Sequence, residues 1–368
     1  MSRALYEENY DRILKTIRFE KTDRCPVAPS GQGFCTQVLG ISMAEYCSAM
    51  AGTADMHIKS WSSLKPLIDA VHCVNFHPDR LTLLWLSKVK VAGRDLPDNE
   101  MWQVVEEELM TVDDYDQIIS GGFLKWRETF MKERLNDPMS RLAPMAADTQ
   151  PAMEKHKDAG IVPLVSAALT IPFENICGAR GMVSFMQDLI RRPEKVKEAL
   201  AVAGPELLEA NRQVLRKIKP IGVWVGGWRS ASELLSPKVW ESMVWPYFKQ
   251  LAEMVIEEGV IPVYHLDSNW IRDLERFKEL PKHKGILALD GATDIIKARK
   301  IMGDHTALLG DVPATMLAFD EPAAVKAYVK KLIKEFDATG YLVGPACDTP
   351  TNAKPANMEA MIQAAHEV

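Results

Sequence analysis

From residue 161 onward the chain repeats one pattern, a short apolar run followed by a longer stretch whose apolar residues return every three or four positions. IVPLVSAAL (161–169) predicts a strand, and RRPEKVKEALAVAGPELLEANRQVLRKIK a long helix. IGVWVGGW (221–228) predicts the next strand. Ser236 then reads as an N-cap and Pro237 as the first helical residue. Val239, Met243, Phe248, Leu251 and Val255 form the apolar face of that helix, and Gly259 closes it. VIPVYHLD (260–267) follows as a strand, and a charged helix runs to about Lys278. The alternation continues through ILALD (286–290), a helix ending at Gly303, ALLGDV (307–312), the helix EPAAVKAYVKKLIKEFDATG and YLVGPAC (341–347). A helix, KPANMEAMIQAAHEV, ends the chain. Strands this uniformly apolar are buried on both faces, as in a parallel sheet covered by helices.

The first half is less regular. Apolar material punctuated by Gly and Pro between Leu81 and Glu108 predicts a hairpin excursion. No low-complexity linker divides the chain, so residues 1–368 are expected to form a single domain. No G-x-G-x-x-G turn lies between a strand and a helix, and the glycines of GDVPA and GGWRSASE lack phosphate-loop spacing. The expected fold is therefore an α/β (β/α)8 TIM barrel with N-terminal additions, rather than a doubly wound sheet.

Composition narrows the class. With 47% hydrophobic and 26% charged residues the chain is an ordinary globular protein, which excludes disordered and fibrous classes. A net charge of −6 and the lack of a basic tract argue against nucleic acid as a partner. No run of 18 apolar residues exists, so no membrane partner is expected. The N-terminus, MSRALYEENYDRILK, is charged where a signal peptide is apolar. Six cysteines without a CxxC pair suit a reducing compartment, and a cytoplasmic location is expected.

In a parallel barrel the functional groups sit where strands end. Those ends carry Trp224 and Trp228, His265 and Asp267, Asp290, Asp311, and Cys347 with Asp348. Asp290 and Asp311 are equally explained as caps of the following helices, and a lone Cys as a small core residue. His265 and Asp267 are two apart, so on a strand they share a face. Cys347 closes another strand, which barrel closure can bring alongside. An imidazole, a carboxylate and a thiolate at one rim are zinc ligands with a fourth position open, although such a pair and a distant thiol also occur by chance. Trp224, Trp228, Tyr264 and Trp270 are candidates to pack a flat apolar substrate, or else to fill the barrel and its helix layer. Phe173, Glu174 and Asn175 follow the 161–169 strand and offer polar contacts.

Several segments carry a family resemblance: FEKTDRCPVAP with LGISMAEY, LSPKVWESMVWPYFKQLAEMVIEEGVIPVYHLD, GDHTALLGDVPA, and PACDTPTNAKPANMEAMIQAA. Over nearly its whole length the chain resembles the uroporphyrinogen decarboxylase superfamily, and within it the corrinoid-dependent zinc methyltransferases. That branch holds zinc through a His-x-Cys pair and a later Cys. His265 and Cys347 fall on matching positions, but Asp267 stands where the family has Cys. Whether Asp267, Asp290 or Asp311 completes the ligand set is left open by the match. True decarboxylases carry an arginine-containing R-Q-A-G turn after the opening strand to hold substrate carboxylates; here the stretch is SGQGFCTQ, with no basic residue.

The resemblance implies a Zn2+ methyltransferase with His265, Asp267 and Cys347 as metal ligands and catalytic residues. Exchanging a thiolate for a carboxylate leaves zinc more electrophilic and friendlier to oxygen, which favours O-demethylation. The expected reaction moves a methyl group from a methoxylated aromatic compound to the Co(I) corrinoid (cobalamin) of a partner protein. No D-x-H-x-x-G cobalamin signature occurs in the chain itself. Trp224, Trp228, Tyr264, Asn175 and Asp311 are the expected substrate contacts, and a homodimer is a candidate assembly. The alternatives are transfer from methyl-corrinoid to a thiol or tetrahydrofolate, a decarboxylase-like carboxy-lyase, and a non-enzymatic barrel that binds a corrinoid protein or a small ligand.

Overall fold

The computed structural model describes residues 2–367. The excursion expected after Leu81 is a helix, Arg80–Trp85, followed by an antiparallel pair of β1 (Val89–Lys90) and β2 (Gln103–Val104). The apolar runs of the second half become β3 (Val165–Leu169), β4 (Gly222–Gly227), β5 (Ile261–Leu266), β6 (Ile286–Leu289), β7 (Ala307–Leu309) and β8 (Tyr341–Leu342). They pair in parallel, in sequence order, as one six-stranded sheet. Successive strands can pair this way because helices such as Pro193–Ile218 and Pro322–Glu335 return the chain across the outside.

The period of two sorts the side chains. Trp224, Val263, Ala288, Leu309 and Leu342 point inward and pack on one another. Val223, Val225, Tyr264, Leu287 and Leu308 point outward under the helices. His265 has the parity of Val263 and therefore faces the barrel interior.

The six-stranded ladder is open, and two short segments span the gap between β8 and β3. Val27 bridges Val343, and Ala70 bridges Val162. The Ala28 N–H donates to Val343 O at 2.9 Å, the Ala70 N–H to Val27 O at 3.1 Å, and the Val162 N–H to Asp69 O at 2.8 Å. The result is a (β/α)8-type barrel in which these two staves are held by isolated bridges rather than ladders. Asp69, fully buried, compensates. Its carboxylate accepts from Arg12 (2.6 Å), from both terminal nitrogens of Arg24 (2.7 and 2.9 Å) and from the Val27 N–H (2.8 Å). One side chain thus ties the N-terminal helix Ser2–Ile17 to both closing segments.

Three local expectations differ. The helix opened by Ser236 does cap as expected, its Oγ accepting from the Val239 N–H. It then widens into a π-helix at Trp240–Val244 before resuming as Trp245–Glu257. Pro246 explains this, because its ring lacks an N–H and collides with the carbonyl four residues back. The charged helix expected before Lys278 is a turn followed by a 3-10 helix, Leu274–Glu279. The last strand stops at Leu342 instead of reaching Cys347, since Pro345 has no N–H for a ladder. Among the described residues no helix is long and apolar enough to cross a membrane.

Removing the Asp69 carboxylate leaves the Arg24 guanidinium without its ion-pair partner at the closure, while Arg12 keeps Asp23 and Asn9. Asp69→Ala is expected to lose about 3–5 kcal/mol of unfolding free energy, the usual cost of breaking a buried ion pair from one side. Denaturant unfolding checks this; a loss under about 1 kcal/mol, within the range of exposed pairs, would show that closure does not rest on Asp69.

Candidate metal centre at the barrel mouth

His265 leaves β5 pointing inward, and Asp267 follows one residue past the strand's end. The His265 Nε2 lies 3.1 Å from Asp267 Oδ1 and 3.5 Å from Cys347 Sγ. One ligand atom from each of the three falls within 4.8 Å of the others. Exposure rises across the set: the side chains of His265 and Asp267 are 11% and 27% exposed, and Cys347 is exposed. Such a group is anchored from below and open to the mouth, the arrangement of a site that keeps a position free for a substrate. Burial disfavours a charge on His265, yet the Asp267 carboxylate and Cys347 outweigh it and hold its pKa well above the ordinary value. An imidazole nitrogen, a carboxylate oxygen and a cysteine sulfur that converge in this way are the donor types zinc takes. The donor set therefore fits zinc.

The local backbone is built to present Asp267. Ser268 sits at φ 72°, an uncommon conformation for a residue with a side chain, and turns the chain sharply after the ligand. Its N–H donates to Asp290 Oδ2 at 2.7 Å, while the Ala292 N–H donates to Asp290 Oδ1 at 2.8 Å. Asp290 is thus occupied as a brace for the turn, not as a cap of the next helix, where Asp294 serves instead. Trp270 lies in the helix layer with Phe248 and Phe277, and its indole N–H donates to the Asp267 carbonyl at 2.7 Å.

Cys347 is presented differently. The loop after β8 is clamped to residues 30–32: Ser30 Oγ donates to Asp348 Oδ1 at 2.8 Å, and the Thr349 N–H to Ser30 O at 2.9 Å. The Gln32 amide, with its nitrogen turned to the carboxylate, donates to Asp348 at 2.7 and 2.9 Å. Burial pushes the Asp348 pKa up to about 6 against these hydrogen bonds. The SGQG stretch that lacks arginine is therefore engaged in holding the loop that carries Cys347.

The other sequence candidates divide. The Trp224 ring lies 5.6 Å from the His265 ring, and Trp85 stands edge-on to Trp224 and Trp228 at 5.8 and 4.5 Å. The Arg229 guanidinium covers Trp228 at 4.0 Å. Trp224 and Trp228 are half-buried beside the site, and Trp85 is buried behind them. Tyr264 does not: its parity sends it outward against Phe248 and Phe277. Asn175 is buried and donates to Leu84 O at 2.7 Å, bracing the end of the helix that carries Trp85. Asp311 accepts from the Tyr328 hydroxyl at 2.7 Å and is not in the ligand group; burial pushes its pKa up to about 6. Glu174, Ser30, Gln32 and Trp85 emerge as supporting residues. Only Glu174 stood beside a predicted strand end.

The family profile described as Uroporphyrinogen decarboxylase (URO-D) matches residues 8–368. The chain belongs to the uroporphyrinogen decarboxylase family. No curated protein matches its sequence. Among solved structures it is similar to a methyltransferase from Methanosarcina mazei, with a TM-score of 0.72, 15% identity and 98% of each chain covered. At that identity the likeness establishes the fold.

Within this family barrel Glu174 is a buried carboxyl with one unpartnered oxygen. It is fully buried, its Oε1 accepts from the Ser230 N–H and hydroxyl at 2.7 and 2.6 Å, and its Oε2 has no hydrogen-bond partner in the protein. Gly227 makes room for it, since a Cβ there would lie 2.1 Å from Oε1. Burial raises its pKa from 4.5 to about 7, opposed by Arg229 and Ser230 and reinforced by Asp267. The folded-state value exceeds the unfolded one, so this carboxyl's contribution to stability is whole below about 4.5 and is lost as pH rises through about 7. Glu174→Gln keeps the shape without the charge. Its stability relative to wild type is expected to rise by about 3 kcal/mol between pH 4 and pH 8. Parallel pH profiles for the two proteins would show that Glu174 does not titrate this way.

Proposed function

We propose that the protein is a zinc methyltransferase that takes the methyl group of a methoxylated aromatic compound and delivers it to the Co(I) corrinoid of a separate protein. The observation that carries this reading is the meeting of His265, Asp267 and Cys347 at the barrel mouth. Zinc held by these three would act as a Lewis acid toward an ether oxygen, more strongly with a carboxylate at Asp267 than with a second thiolate. In the overall reaction Co(I) would supply the electron pair of the new methyl–cobalt bond on the partner, the methyl–oxygen pair would leave on oxygen, and the phenolate would take a proton from water to depart as the phenol.

The chain's own residues bind and orient. Trp224 beside His265 and Trp228 across Trp85 offer indole surface for an aromatic ring, and their packing fixes where that ring sits. Asp290 and the Trp270 indole hold the Asp267 turn, and the Ser30–Asp348 clamp holds Cys347. Porphyrinogen decarboxylation is disfavoured by the same clamp. Ser30 and Gln32 are committed to Asp348, and no cation stands in that stretch to meet several substrate carboxylates.

The direct test mixes the zinc-loaded protein with a reduced corrinoid protein and a series of methoxybenzenes, and follows the absorbance change from Co(I) to methyl-Co(III). Transfer is expected with the wild type and is expected to vanish in His265→Ala and Cys347→Ala, with bound zinc falling in both. No transfer from any methoxyarene by a zinc-loaded wild type would overturn the reading and move thiol methylation ahead.

Asp267→Cys separates the role of donor hardness from that of charge. The site keeps an anionic ligand, so zinc should stay, but a second thiolate weakens its pull on oxygen. A loss on the order of tenfold in demethylation rate is expected, about 1.4 kcal/mol, with poor leaving groups slowed most. Asp267→Ala should lose zinc as well as rate. Equal rates for wild type and Asp267→Cys across the leaving-group series would remove the case for oxygen chemistry.

A further inference from the structure

Below the ligand group lies a cavity of about 10 Å³, lined by His265 and Cys347 from above and by Ser30, His72, Ala288 and Leu309 around it. Two polar atoms among these side chains are buried without a hydrogen-bond partner in the protein: His265 Nδ1 and His72 Nε2. The Ser30 hydroxyl is already committed to Asp348, and the remaining lining is largely apolar. A volume of this order is about the least that admits one water, and a water held in such a place needs at least two polar partners. The two imidazoles supply them.

We propose that His72 is a positioning residue for the metal centre, acting through a single buried water that joins its Nε2 to His265 Nδ1. His265 Nδ1–H donates to the water and the water donates to His72 Nε2, which requires neutral His72 with its proton on Nδ1. This places the His265 proton on Nδ1 and leaves the Nε2 lone pair facing Asp267 and Cys347, where a cation would sit. His72 reaches the spot because it follows the second closing segment, its own N–H donating to Pro29 O at 3.3 Å. Barrel closure and ligand orientation are thereby linked through neighbouring residues.

The inference rests on His265 being a metal ligand, and its test reads the two claims separately. A high-resolution crystal structure of the wild type, solved without and with added zinc, is expected to show one ordered water within hydrogen-bonding distance of both nitrogens. Zinc affinity is then measured by competition with a chromophoric chelator for wild type, His72→Gln and His72→Leu, each first shown to unfold at the wild-type temperature. His72→Leu is expected to bind zinc at least about tenfold more weakly, as losses of such outer partners do. His72→Gln, which keeps an acceptor near the same place, should restore most of the affinity. Density showing no water shared by the two nitrogens overturns the proposal, as does a folded His72→Leu that binds zinc as tightly as wild type. A wild type that takes up no zinc would defeat the metal reading instead, and the bridging water would then stand or fall on the density alone.

Discussion

Everything at the mouth depends on curvature, and the segments that complete the curve meet at the buried carboxylate of Asp69. Cys347 follows β8, which is separated from β5 by two intervening strands. In a flat sheet three strand spacings would put them about 14 Å apart. The ligand atoms nevertheless fall within 4.8 Å of one another. Only a sheet bent toward closure, with side chains converging on its axis, makes that distance possible. The two staves that complete the bend are too short to form ladders, so their register comes from elsewhere. Asp69 provides it, gathering Arg12, Arg24 and the Val27 N–H at one point. A buried ion pair adds little net stability compared with apolar packing, but it does specify an arrangement. Specification is what two isolated bridges need.

The same division between packing and polar clamps governs the site. Apolar alternation delivers His265 to the interior without further help. Asp267 and Cys347 lie beyond the ladders, where no sheet hydrogen bonds hold them, and each has its own brace. For Asp267 these are the Asp290 carboxylate and the Trp270 indole. For Cys347 it is the Ser30–Asp348 contact, which joins the loop after β8 to the loop after the first closing segment. These braces keep the imidazole and its two neighbours at defined positions, and a ligand set that is already ordered binds a cation with less loss of conformational freedom.

How much of this was legible in the sequence follows from how local each signal is. The six main strands and the long helices were readable, because apolar periodicity is a property of neighbouring residues. His265, Asp267 and Cys347 were readable once strand ends were treated as the functional edge and the resemblance supplied the pairing. Tyr264 was misplaced although the alternation that places His265 inward also places Tyr264 outward. Asp290 and Asp311 were visible as strand-end carboxylates, but their partners, the Ser268 N–H and the Tyr328 hydroxyl, are 22 and 17 residues away. Ser30 was visible only as part of the SGQG stretch that lacks arginine, and Asp69 and His72 left no readable signal. Their roles exist only between segments that the first half of the chain brings together, and that half has no periodicity from which to infer the meeting.

The fold alone does not choose among the chemistries of this family, because a barrel of this kind is a frame and the reaction belongs to the groups at its mouth. Two positions support the proposed choice here. At 30–33 a stretch without cations is drawn into the loop that presents Cys347, so the residues that would have to hold a polycarboxylate hold the protein instead. At 267, on the proposed reading, a carboxylate takes the place the resemblance gives to a thiolate, and it lies 3.1 Å from the His265 Nε2. What the exchange alters is donor hardness, and hardness decides whether a bound cation favours a sulfur nucleophile or an oxygen leaving group. The indoles beside the site suit a flat, weakly charged substrate better than a polyanion, and the Arg229 guanidinium over Trp228 is already paired with Glu106. Shape, charge and donor type thus point the same way, and that agreement, added to the family resemblance, is the argument for the proposed oxygen demethylation.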